Sequence, residues 1–202
     1  MCKFYSAIVI PTAGGGFDLL HNPWTHSHED LIRIYKLRDT ARPNGEPRFA
    51  RIEFSPESMA TADDVSTYKL TIDEKRRPDW FSESLEKKVV ERMKLIVSAM
   101  IVSGDADLLC GGVFILAKGA RVSTLKNAYV VVMLDSSKVG EMWDSSQVGE
   151  MWGSSKVGEM WGSSKVGTMR DSSKVGTMRD SSKVGEMYDS SKAPRKPTTD
   201  HR

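Results

Sequence analysis

The chain has 202 residues, with 29 Lys+Arg against 27 Asp+Glu, 39% hydrophobic residues and 8% aromatics, the composition of a soluble protein of one or two small domains. No run approaches the roughly 18 apolar positions of a membrane span, and the apolar stretch at 6–11 is too short for a signal-peptide core, so no membrane association and a cytoplasmic location are expected. A net charge of +2 gives no argument for a nucleic-acid or membrane surface, and Cys2 and Cys110 match neither a disulfide framework nor a zinc-site spacing.

Residues 1–108 read as one domain. The segment 4–10 reads as a strand, Gly14-Gly15-Gly16 as a tight connection, and 17–20 as a second strand closing a hairpin. Ser27 followed by Asp30 predicts a helix N-cap, with Leu31, Ile32, Ile34, Tyr35 and Leu37 supplying the apolar stripe. Residues 42–47 form a Pro/Gly loop, 49–54 a third strand and 66–72 a fourth. Pro78-Asp79 then opens an amphipathic helix over about 80–100, placing Trp80 in the core, with Leu85, Val89, Met93, Ile96 and Val97 along one face. The expected order is β-β-α-β-β-α, a two-layer α+β domain with an antiparallel sheet and helices on one side of it. The second helix is expected to cap the first coil of the segment that follows.

From 109 to 192 the grammar is repetitive. DSSKVGEMW begins at Asp135 and recurs with small changes every nine residues, placing Met142, Met151, Met160, Met169, Met178 and Met187 at one position and Gly140, Gly149, Gly158, Gly167, Gly176 and Gly185 at another. The apolar pairs Val113/Leu116, Val122/Leu125 and Val131/Leu134 extend the period upstream, with a one-residue slip before Val139/Met142. Within a unit the second Ser, the Val and the Met read as inward, and Gly lets the chain bend between Val and Met. Val, paired serines and a recurring Gly exclude a helix. The pattern predicts a short parallel β-solenoid of nine-residue repeats, closing with two units per coil. The calcium-binding GGxGxD loop is absent, so calcium is not implied. The prolines that follow the last unit block further strand addition, and 193–202 is expected to be a flexible tail.

Two groups of residues carry candidate chemistry. If a coil holds 18 residues, Trp143, Trp161 and Arg179 form one outward column and Trp152, Arg170 and Tyr188 another. Such columns can stack on bases, sugars or a protein partner, or on each other to brace the coils. Within 109–192 basic and acidic side chains nearly balance, which favours a protein partner over nucleic acid. The second group is His21, His26 and His28 beside Glu29 and Asp30, a metal-site candidate. Acids at a helix start need no metal, however, and no HExxH-type pairing forces the three histidines together. Gly14–Gly16 lacks the neighbours of a phosphate loop and reads as a hairpin turn.

The segments KFYSAIV at 3–9, SHEDLI at 27–32, FARIEF at 49–54, and RPDWF at 77–81 together resemble a family of uncharacterised phage and bacterial proteins that join a small α+β domain to a repetitive tail, often of SSxVGxM type. The resemblance implies a mobile-element setting and supplies no catalytic residues. The expectation is a non-enzymatic binding protein in the host cytoplasm, an inhibitor of a host-defence or nucleic-acid enzyme being one form of it, without cofactor and able to self-associate. The alternative is a small metal-dependent enzyme or ligand-binding domain on His21/His26/His28, with the repeats as an oligomerisation handle.

Overall fold

The computed structural model describes residues 4–25 and 27–194. They fall into two compact units, Met1–Ala99 and Met100–Arg202. No helix among the described residues is long and apolar enough to cross a membrane.

The first unit is built on a four-stranded antiparallel sheet. Strand β1 (Tyr5–Pro11) turns through Gly14 and Gly15, both at positive φ, into β2 (Phe17–His21), and α1 (His28–Ile34) follows. Next come β3 (Ala50–Pro56), two 3-10 turns at Met59–Thr61 and Val65–Thr67, β4 (Tyr68–Ile72) and α2 (Glu83–Ser98). The sheet order is β2-β1-β3-β4. Ser27 caps α1 by accepting from the Asp30 N–H, and Leu31 packs with Ile8 and Phe49. Buried Ala50, Ile52 and Phe54 alternate with more exposed neighbours in β3, the period of a half-buried strand, whereas β1 is buried continuously from Tyr5 to Val9.

Three expectations shift here. Residues 65–67 form a 3-10 turn, not strand, because the Asp64 carboxylate accepts from the Ser66 N–H and holds a local turn. The second helix starts at Glu83, with Ser82 accepting from the Leu85 N–H as its cap, and Pro78-Asp79 belongs to the preceding loop. Trp80 is only half-buried, its indole N–H donating to the Pro47 carbonyl at 3.0 Å; Phe81 is the residue that fills the core.

The second unit is a parallel β-solenoid. Its strands are β5 (Ile101–Val102), β6 (Asp105–Cys110), β7 (Val113–Leu116), β8 (Arg121–Lys126), β9 (Tyr129–Met133), β10 (Lys138–Trp143), β11 (Gln147–Met151), β12 (Lys156–Met160), β13 (Lys165–Met169), β14 (Lys174–Met178) and β15 (Lys183–Met187). Even-numbered strands stack in one sheet in the order β14-β12-β10-β8-β6, and odd-numbered strands in another, β15-β13-β11-β9-β7-β5. The chain thus alternates between two parallel sheets through about five coils. From β9 onward the register advances by one constant step, with Val130, Val148, Val166 and Val184 stacked in one file. The core between the sheets is a ladder of Val and Met, from Val139 and Met142 to Val175 and Met178, all at most 9% exposed.

The recurring Gly is dictated by coil stacking, not by a turn. A Cβ added at Gly158 would lie 2.4 Å from the Gly140 carbonyl oxygen, and one at Gly140 2.6 Å from that of Ser123. The coil corners need left-handed backbone instead, and Asp144, Asp171 and Asp180 alternate there with Gly153 and Gly162 at φ of 51–65°. Asp171 accepts the Gly153 N–H at 2.8 Å and Asp180 the Gly162 N–H at 2.9 Å, bonding successive coils at each corner.

The upstream coils differ from the expected pattern. Val130 and Met133, not Val131 and Leu134, align with Val148 and Met151. Phe114 and Leu116, not Val113 and Leu116, align with Val130 and Met133, with a bulge between Phe114 and Ile115. Along the chain the inward steps Ala106–Phe114, Phe114–Val122 and Val122–Val130 are eight residues each, and the nine-residue step begins at Val130. The run YVVVML at 129–134 is apolar throughout, so hydrophobic pattern alone does not fix which face turns in. A boundary at 108/109 runs through β6, whose Ala106 and Leu109 align with Val122 and Leu125; the outward Asp105 and Asp107 mask its likeness to the later units.

Candidate functional site

Parallel stacking converts each outward position of the repeat into a row spaced by about 4.8 Å. One row on the even-numbered sheet runs Arg121, Lys138, Lys156 and Lys174, continued by the Lys192 bridge. On the odd-numbered sheet Tyr129 and Gln147 are followed by Lys165 and Lys183. Next comes the glycine row, then Glu or Thr, then the corner column of Trp, Arg and Tyr.

Both expected columns form. The Trp143 and Trp161 rings stack at 5.1 Å with 4° between their planes, and the Arg179 guanidinium lies 4.4 Å from the Trp161 ring centre. In the other column Arg170 sits between Trp152 at 5.2 Å and Tyr188 at 5.1 Å. The glutamates serve these columns: Trp143 and Trp152 donate their indole N–H to Glu141 and Glu150 at 2.7 Å, and the Tyr188 hydroxyl donates to Glu186 at 2.8 Å. That last bond, with the charge of Glu186, holds the Tyr188 phenol above its usual pKa. Glu159 instead lies 3.6 Å from Arg179 Nε, and the Trp161 indole N–H has no hydrogen-bond partner. Trp161 and Arg170 are thus flanked on both sides within the columns, while Trp143 and Tyr188 have one column neighbour each and are 37% and 45% exposed.

This pairing leaves the lysines without counter-ions. Lys138, Lys156, Lys165, Lys174 and Lys183 are exposed, and none forms an ion pair among the described residues, because the neighbouring glutamates face the columns. Cations directly opposite on adjacent strands repel, so these rows cost stability. Beside Lys165 and Lys183 lies a groove of about 390 Å³, floored by Gly149, Gly167 and Gly185 and closed at one end by Tyr129. Burial of the Tyr129 phenol, with Glu150 near it, raises its pKa.

The histidines part company in the first unit. His21 Nδ1 is 2.8 Å from the Tyr5 hydroxyl. Burial and the Arg92 charge lower the His21 pKa, while burial pushes the Tyr5 phenol up to about 12, so both groups are held toward their neutral forms across this hydrogen bond. His26 lies outside the described residues, as do Cys2 and residues 195–202. His28 is buried, with Nε2 3.0 Å from the Ile52 carbonyl oxygen and Nδ1 3.2 Å from Asp73 Oδ2. Among the described residues, the group whose donor atoms converge closely enough to share a cation is His28, Glu53 and Asp73. Glu53 and Asp73 are brought to His28 by β-pairing, 25 and 45 positions along the chain, a distance that no local spacing rule reaches. Gly14 and Gly15 serve the β1–β2 hairpin. Compared with known proteins, the chain matches no family model, no curated protein and no solved structure.

Proposed function

We propose that the chain is a non-enzymatic binding protein whose solenoid presents a repetitive surface to a macromolecular partner, a protein in preference to a nucleic acid. The observation that carries the reading is the set of uncompensated lysine rows beside a glycine-floored groove. A fold that sets Arg121, Lys138, Lys156 and Lys174 in one row and Lys165 and Lys183 in another, and turns the nearby glutamates elsewhere, retains a cost that a partner's acidic groups would relieve. Exposed Trp143 and Tyr188, with the half-buried Trp152 and Trp161 in the same columns, supply apolar contact. Nucleic acid is less favoured because Trp161 already has both faces filled and the other column rings one face each, which leaves fewer faces for bases. The nine-residue repeat is read as half a coil, and the first unit as a two-layer β-β-α-β-β-α domain. The phage or mobile-element setting rests on the sequence resemblance, and inhibition of a host enzyme is one form the binding would take.

The test is charge reversal that leaves the columns untouched. The double variant Lys165→Glu/Lys183→Glu, which keeps one like-charge pair in place of another, is expected to keep the far-UV circular dichroism and melting temperature of the parent while losing the protein captured by the parent from bacterial lysate. Capture equal to the parent's would remove the lysine rows from the binding surface.

A further inference from the structure

His28 is the first residue of α1, yet it is 1% exposed. The Ile52 carbonyl oxygen, 3.0 Å from Nε2, can only accept. Nε2 therefore carries a proton, and in the neutral ring Nδ1 presents a lone pair. Asp73 Oδ2 lies 3.2 Å from Nδ1, and donor atoms of His28, Glu53 and Asp73 all lie within 4.8 Å of one another.

The backbone explains the convergence. Glu53 follows Ile52 in β3, so the residue that holds the ring adjoins one that faces it. Ile52 pairs with Ile72 of β4, and the Asp73 N–H donates to the Arg51 carbonyl at 2.9 Å, fixing the residue just beyond the strand. The nearby Arg51 guanidinium is committed to Glu74 at 2.8 Å and to Asp39. Two carboxylates converging with a buried imidazole at this range favour a cation among them. A proton on Nδ1 joins the ring to one oxygen along one line, whereas a divalent ion joins all three donors at once.

We infer that His28 Nδ1, Glu53 and Asp73 form a site for a first-row divalent metal of the zinc class. One imidazole with two carboxylates suits zinc or manganese better than magnesium or calcium. The Ile52 carbonyl plays the outer-shell part, fixing the tautomer and the ring orientation. Three protein donors leave the remaining coordination to water. The ion ties the start of α1 to β3 and to the segment after β4. This site belongs to the first unit and stands independently of the solenoid's binding role.

The experiment is calorimetric titration of chelator-treated full-length protein with zinc chloride, alongside Glu53→Gln and Asp73→Asn, each checked for parental circular dichroism. Asp73 has 58% of its side chain exposed, so its replacement opens no core. One equivalent of zinc is expected to bind the parent and raise its melting temperature. Each variant is expected to bind about tenfold or more weakly, and magnesium is expected to produce neither effect. A parent that takes up no zinc leaves the proton as sole occupant and overturns the inference. Binding that survives both substitutions but is lost in His21→Gln overturns it as well, by moving the metal to another ligand set.

Discussion

At Gly158 an added methyl would sit 2.4 Å from the Gly140 carbonyl oxygen, a backbone atom with no room to retreat. Gly158→Ala is therefore expected to destabilise the solenoid by ~1–3 kcal/mol, the range for overpacking a fitted interior. Gly104→Ala has open space around the new Cβ and no positive φ, so its expected change is within about 0.5 kcal/mol. Urea midpoints of the two variants separate stacking from a general intolerance of substitution. Equal losses would show that the repeat glycines are not there for coil contact. The recurrence of this Gly is plain in the sequence, but its reason is not: a bend between Val and Met is a local explanation, and the clash is with a residue a full coil away. His28 shows the same limit, since its cap position beside Ser27 is local while Glu53 and Asp73 arrive by strand pairing.

Between coils, the corner columns are expected to act as braces whose strength depends on position. Trp161 has Trp143 on one face and Arg179 on the other, whereas Trp143 has one stacked neighbour among these. Trp161→Ser is accordingly expected to cost roughly 1 kcal/mol more than Trp143→Ser, the size of one aromatic or cation–π contact. Near-ultraviolet circular dichroism offers a second readout, because the coupled indole signal should vanish in both variants. If it persists in either, the two rings are not paired in solution. Column membership was readable from the sequence because the units from Asp135 onward are near-identical and close at 18 residues. Register in β7 and β9 was not, because apolar residues at consecutive positions satisfy either face and a bulge absorbs the difference.

At the scale of the molecule, a charge that sums to +2 conceals a sorted second unit, where lysines form rows, glutamates brace the columns and aspartates bond the corners. Repetition makes this arrangement modular, since each coil touches its neighbours alone. Removing residues 153–170 would bring β10 against β14 and β11 against β15 with Val on Val and Met on Met, while taking Lys156 and Lys165 out of their rows. The most direct measurement is therefore quantitative capture from bacterial lysate by the parent and by this deletion, each checked for a cooperative thermal melt. A folded, shortened protein that captures the parent's partner about tenfold more weakly is the predicted result. A folded deletion that captures it equally well would contradict a binding role for the repeated surface.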